Sequence, residues 1–172
     1  MGKAYLSLGS NMQPEDNLAS AVRALQQRFG TLLVSPIYRT AAIGFDGPDF
    51  LNAAAVLDSD LGVHALNDWL HALEDAHGRE RSGPRFGDRP LDIDIVFYDD
   101  LVIEDSGQPG SGAVLRIPRP ELRHAFVLKP LADIAPHFVD PVSGRTLAAL
   151  WADSPERDVP LEVVEAGRVS VL

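Results

Sequence analysis

Arg89-Pro90-Leu91-Asp92-Ile93-Asp94-Ile95-Val96 leads into Phe97-Tyr98, and its residues alternate between apolar and acidic. In a strand, successive side chains point to opposite faces, so Asp92 and Asp94 share one face about 7 Å apart along the backbone. Ile93, Ile95 and Phe97 are then expected to enter the core. Two carboxylates side by side on a sheet repel each other unless a cation or an arginine cluster neutralises them. Such a cluster lies just upstream: Arg79, Arg81, Arg85 and Arg89 are four of the chain's 15 basic residues. Carboxylates for Mg²⁺ beside arginines for phosphate are the ingredients of phosphoryl transfer. On the residues alone, pairing of these arginines with Glu80, Asp88 and other surface acids stays open.

Working outward, the pattern before this strand runs strand, helix, strand, strand, helix. Lys3 to Gly9 alternates as a strand, and Gly9-Ser10-Asn11 reads as a strand-to-helix turn, lacking the pattern of a phosphate loop. Pro14, Glu15 and Asp16 start a helix that Gly30 stops after Phe29. Thr31 to Thr40 is a second strand, with a bulge expected at Pro36, and Phe50 to Leu57 a third. Leu61 to His77 is a second helix with Leu61, Ala65, Leu66, Trp69, Leu70 and Leu73 on its apolar face. Gly78 to Arg89 is a polar loop long enough to act as a lid. After the fourth strand come a short edge strand at Leu101–Ile103, a third helix from Arg123 to Ile134 and a helical turn at Leu147–Trp151. The order predicts an α+β, ferredoxin-like (split βαβ) antiparallel sheet, with both main helices on one face and mobile loops over the Asp92/Asp94 face.

Composition bounds the function. The 172 residues suit one domain of residues 1–155, followed by a tail or small terminal hairpin built from Leu161–Val163 and Val169–Val171. A net charge of −10 argues against a general nucleic-acid or acidic-membrane binder. The N-terminus has no signal-peptide pattern, no run is long enough to span a bilayer, and there are no cysteines, so a monomer in the cytoplasm is expected. His64, His71 and His77 lack the spacing of a helical zinc pair.

Several ordered motifs resemble one family: Leu8-Gly9-Ser10-Asn11, Tyr38-Arg39-Thr40, Pro48-Asp49-Phe50-Leu51-Asn52-Ala53-Ala54, Gly78-Arg79 with Arg81, and Phe86 through Ile95. From Tyr5 to about Pro136 the chain is similar to the 6-hydroxymethyl-7,8-dihydropterin pyrophosphokinases of folate biosynthesis. That resemblance implies transfer of pyrophosphate from ATP, the co-substrate, to the pterin hydroxymethyl group, with release of AMP. It implies that Asp92 and Asp94 hold two Mg²⁺ ions and that Arg79, Arg81 and Arg89 contact phosphate. Arg85 and Phe86 match its mobile loop, with Phe86 where tryptophan is common. Glu74, His71, Ile95 and Arg119 fall on the nucleotide side. Phe50 and Phe126 match the aromatic pair that sandwiches the pterin, with Thr40, Asn52 and backbone near Ile43 reading its edge.

The chain departs from the family at Pro118–Phe126, which is one residue shorter. Arg119 replaces the usual histidine, and Arg123 or His124 falls near an expected arginine. A two-metal nucleotidyltransferase and a non-catalytic pterin- or nucleotide-binding paralogue are the other readings that the residues allow.

Overall fold

The computed structural model describes residues 1–41, 47–78, 90–104 and 115–164. The first alternating run is strand β1 (Gly2–Ser10), with Ala4, Leu6 and Leu8 facing one core and Tyr5 the other. Helix α1 (Pro14–Phe29) carries Glu15 and Asp16 in its first turn, where carboxylates complement the unpaired N–H groups and the dipole. Gly30 closes it at φ 86°, donating its N–H to the Gln26 carbonyl at 2.8 Å.

The expected second strand is split into β2 (Leu32–Val34) and β3 (Ile37–Thr40), both paired with β4 (Phe50–Ser59). Ser35-Pro36 forms the break. The Ser35 N–H donates to the Ala54 carbonyl at 2.9 Å, and its hydroxyl accepts from the Ala54 N–H at 2.8 Å. The side chain thus supplies one acceptor where Pro36, with no N–H, interrupts the ladder.

Helix α2 (Val63–Ala76) leads back towards β5 (Asp92–Tyr98). The antiparallel sheet has the order β5-β1-β4-β3-β6, with β2 also on β4 and β6 (Glu162–Val164) added to β3. Counting β2 and β3 as one strand, the core is the split βαβ arrangement. Helices α1 and α2 cover one face through Leu18, Val22, Leu25, Leu66 and Leu70.

The opposite face carries more than loops. Helices α3 (Ala125–Ile134) and α4 (Leu147–Ala152) pack on it over Tyr5, Ala54, Val56, Val96 and Phe97. Asp92 and Asp94 lie on this same face, both half-buried.

Four local expectations are corrected. Phe97 does not share a face with Ile93 and Ile95. Tyr5 pairs with Phe97 but Leu6 with Ile95, so Val96 is an extra residue, and a bulge turns Phe97 to the second core and Tyr98 to the first. Of the apolar face expected for the second helix, Leu61, Leu66, Trp69, Leu70 and Leu73 pack on the core, but Ala65 is exposed, and the polar Asn67 and Glu74 join the buried stripe of α2. The third helix starts at Ala125, after a 3₁₀ turn over Pro120–Arg123 and an extended His124. Leu101–Ile103 is no strand: it makes a single bridge, Ile103 to Ile117, and Val102 is exposed. Of the terminal hairpin, Val169–Val171 lies outside the described residues. No helix among the described residues is long and apolar enough to cross a membrane.

Candidate active site

The sheet register assembles the site. Gly9 pairs with Asp92 on one side and Asn52 on the other, and Asn52 pairs with Tyr38. One row, Asp92–Gly9–Asn52–Tyr38, therefore crosses four strands on the α3 face. Asp94 stands in the next row, beside Ser7 and Ala54. Two strand spacings separate Asp92 from Asn52, about 10 Å between backbones. Between them Gly9 presents bare backbone. A Cβ there would lie 3.2 Å from Asn52 Oδ1, tighter than an ordinary contact, so the missing side chain leaves room for Asn52; the Phe50 ring, at 3.9 Å, would be in ordinary contact.

The wall beyond Gly9 is hydrogen-bonded in place. Asn52 Nδ2 donates to Thr40 Oγ1 at 2.8 Å, and Thr40 pairs with Phe50 across β3 and β4. Phe126 is half-buried at the start of α3, which packs on the same face. The far end of α3 is tied to the row by the Tyr38 hydroxyl, which donates to Asp133. Burial, followed by that carboxylate, raises the Tyr38 pKa.

On the acidic side, Arg119 Nη2 lies 3.6 Å from Asp94 Oδ1, and Arg119 Nε 3.3 Å from Glu121 Oε2. The Arg119 N–H donates to the Val96 carbonyl at 3.2 Å, which lays this segment along β5, the terminal strand of the sheet. Burial and then the Asp92 charge push the Asp94 carboxyl up to about 8. Arg119 opposes the rise, while Glu74 and Glu121 add to it. Glu74 is buried, and its Oε2 accepts from the Ile93 N–H at 2.9 Å. That N–H points to the open edge of β5; by the period of two, so do the N–H and carbonyl of Ile95. The Ile95 side chain is in the core, so only its peptide can meet a ligand.

Two carboxylates at i,i+2, with the Asp92 charge helping to raise the Asp94 carboxyl, are a donor set that a divalent cation would relieve. Among the described residues no three His, Cys, Asp or Glu side chains gather as a cation cage. The set therefore fits Mg²⁺, which is commonly held by one or two carboxylates and completed by substrate phosphates and water.

Gly9-Ser10-Asn11 has a larger part than a turn. Ser10 is fully buried, and its hydroxyl lies 2.6 Å from the Pro90 carbonyl and 3.1 Å from that of Met12. Asn11 Nδ2 reaches the Pro48 carbonyl at 3.5 Å. The end of β1 thus fastens the chain entering β5 and the chain entering β4. The only sequence signal for this was a pair of small polar residues after a strand. Ile43, Arg79, Arg81, Arg85, Phe86 and Arg89 lie outside the described residues.

Residues 5–136 match the model of the 7,8-dihydro-6-hydroxymethylpterin-pyrophosphokinase family. The chain belongs to this family. A 2-amino-4-hydroxy-6-hydroxymethyldihydropteridine pyrophosphokinase of Synechocystis sp. is 35% identical over 186 residues, covering 98% of this chain and 91% of that protein. The enzyme of that name from Pseudomonas aeruginosa is 36% identical over 163 residues, 89% of this chain and 92% of the relative. Among solved structures, the Plasmodium falciparum HPPK-DHPS superposes with a TM-score of 0.70 at 14% identity over 91% of this chain. This chain spans 45% of that protein, and the likeness is one of fold. The family's named activity makes its members ATP-dependent diphosphotransferases.

Proposed function

We propose that this chain transfers the pyrophosphoryl group of ATP to the hydroxymethyl group of 6-hydroxymethyl-7,8-dihydropterin and releases AMP. The observation that carries this reading is the Asp92–Gly9–Asn52 row: a carboxylate, a bare floor and a carboxamide in register on one face. A flat heteroaromatic ring needs such a floor, an edge-reading group and stacking partners. Asn52 and Thr40 read the ring edge, helped by the backbone near Ile43, while Phe50 and Phe126 stack on it. Asp92 and Asp94 then stand where the hydroxymethyl group meets the triphosphate.

The pterin hydroxyl oxygen attacks the β-phosphorus, a new P–O bond forms, the bond to the bridging oxygen breaks so that this oxygen leaves with AMP, and the hydroxyl proton passes to solvent. Negative charge spreads over the phosphate oxygens as this happens. Asp92 and Asp94 would hold two Mg²⁺ ions, which would supply positive charge to neutralise part of that build-up. Arg119 is already beside Asp94 and adds a positive charge at the same place. Arg79, Arg81, Arg85 and Arg89 serve the remaining phosphate oxygens, and Phe86 closes over the site. Glu74 ties down the edge of β5 at the Ile93 N–H, and the Ile95 peptide two residues on meets the nucleotide. Positioning and charge neutralisation suffice for a loose phosphoryl-transfer transition state, so no strong general base is required.

The deciding assay incubates the protein with MgATP and the hydroxymethyl-dihydropterin. AMP should appear only when the pterin and Mg²⁺ are both present. Pyrophosphate as product would instead make the chain a nucleotidyltransferase, and binding without turnover would make it a binding module.

A further inference from the structure

Glu156 lies beyond the matched residues 5–136, yet its carboxylate is built into the wall that carries Phe126. Its Oε2 is 3.0 Å from His124 Nδ1, and its Oε1 accepts from the Ala125 N–H at 3.1 Å. The His124 ring stacks on Phe126, with centroids 5.1 Å apart and planes 11° from parallel. Helix α3 has no side-chain cap from His124, its own N-cap residue. Glu156 supplies from a distance an acceptor for the N–H of Ala125, one of the unpaired donors at the helix start, and its negative charge suits that end of the helix.

The segment that carries Glu156 is itself held. The Glu156 N–H donates to Ser154 Oγ at 3.1 Å, and its carbonyl accepts from the Val159 N–H at 2.9 Å. From there the chain runs into β6, which pairs with β3 in the register Arg39 to Glu162 and adds an Arg39–Glu162 ion pair at 3.5 Å. Thr40 is the next residue of β3. One stretch, 154–164, is thus bonded both to the start of α3 and to β3.

We infer that Glu156 is a positioning residue for the pterin: through His124 it sets the plane of Phe126 before the ligand arrives. The inference rests on the pterin reading above. A stacking partner already locked in its bound orientation avoids the ordering that a free aromatic ring would undergo on binding, and this raises affinity without a new contact. The nucleotide, held at the other end of the row, gains nothing from it.

The test compares full-length wild type, E156A and E156Q, titrating dihydropterin by its own fluorescence and ATP by equilibrium dialysis. E156A should weaken pterin binding about tenfold and raise the pterin KM in step, with ATP affinity and kcat within about twofold of wild type. E156Q keeps an acceptor for the Ala125 N–H and should lose less. Pterin affinity unchanged in E156A overturns the inference, and so does a parallel loss of ATP affinity, which would mean general loosening. If E156A does not fold, E156Q decides, and wild-type pterin affinity there overturns it. A wild-type protein that neither binds the pterin nor releases AMP would sink the functional reading and this inference with it. A competent wild type with an unaffected E156A would sink this inference alone.

Discussion

Asp94 sits among Asp92, Glu74 and Glu121, with Arg119 the one nearby cation among the described residues, and this crowding decides what substitution there does. Asp92→Asn or Asp94→Asn removes a proposed metal ligand while relieving repulsion. Either should lower AMP release about 100-fold or more, the scale of losing one preorganised electrostatic contact. The melting temperature should hold or rise; activity near wild type would remove the metal-site assignment. Gly9 makes the opposite kind of demand, for absence. Gly9→Ala would press a methyl against Asn52 Oδ1 at 3.2 Å, so Asn52 or the pterin must give way. Pterin affinity, followed by fluorescence, should fall about tenfold or more with ATP affinity kept.

Helix α3 joins the aromatic wall at one end to β3 at the other. Its far end is held by Asp133, which accepts from the Tyr38 hydroxyl and pairs with Lys129 at 2.6 Å. Tyr38→Phe deletes the first of these, while Lys129 keeps the carboxylate partnered. Denaturant unfolding should register a loss of about 1 kcal/mol, the usual net worth of such a bond. At the near end, Phe126→Ala should weaken pterin binding far more than ATP binding, as separate titrations would reveal. Equal losses would mean that Phe126 is only part of the second core, where its half-buried ring already touches the cluster around Tyr5 and Phe97.

For the molecule as a whole, the Asp94 carboxyl links stability to pH. In the metal-free protein its folded pKa, about 8, lies above the unfolded value of about 4. The folded state therefore holds this proton more tightly. The stability this contributes is complete below pH 4 and is lost as pH rises through 8. Thermal melts of metal-free wild type against Asp94→Asn should diverge between pH 6 and 9, with the wild type falling further. Mg²⁺ with ATP should raise the melting temperature more at pH 9 than at pH 6, where a proton competes for the site; equal shifts would dispose of the linkage.

Much of this was legible in the chain, and the reason is range. The alternation of Asp92-Ile93-Asp94-Ile95, the Pro14 start and Gly30 stop of α1, and the break at Pro36 depend on neighbours a few residues away. Those neighbours determined the strands, the two main helices, the split βαβ order and the shared face of the two carboxylates. Tertiary structure alone decided the rest. A bulge opposite Tyr5 and Leu6 sends Phe97 to the core on the other side of the sheet from Ile93 and Ile95, although alternation predicted that the three share a face. Glu74 is buried because an edge N–H of β5 needs an acceptor, and Gly9 lies between Asp92 and Asn52 because three distant strands pair in one register. Glu156 meets His124 and Ala125 only once the fold brings the end of the chain back over α3. Each of these contacts joins residues far apart in sequence, so no local pattern carries a trace of it.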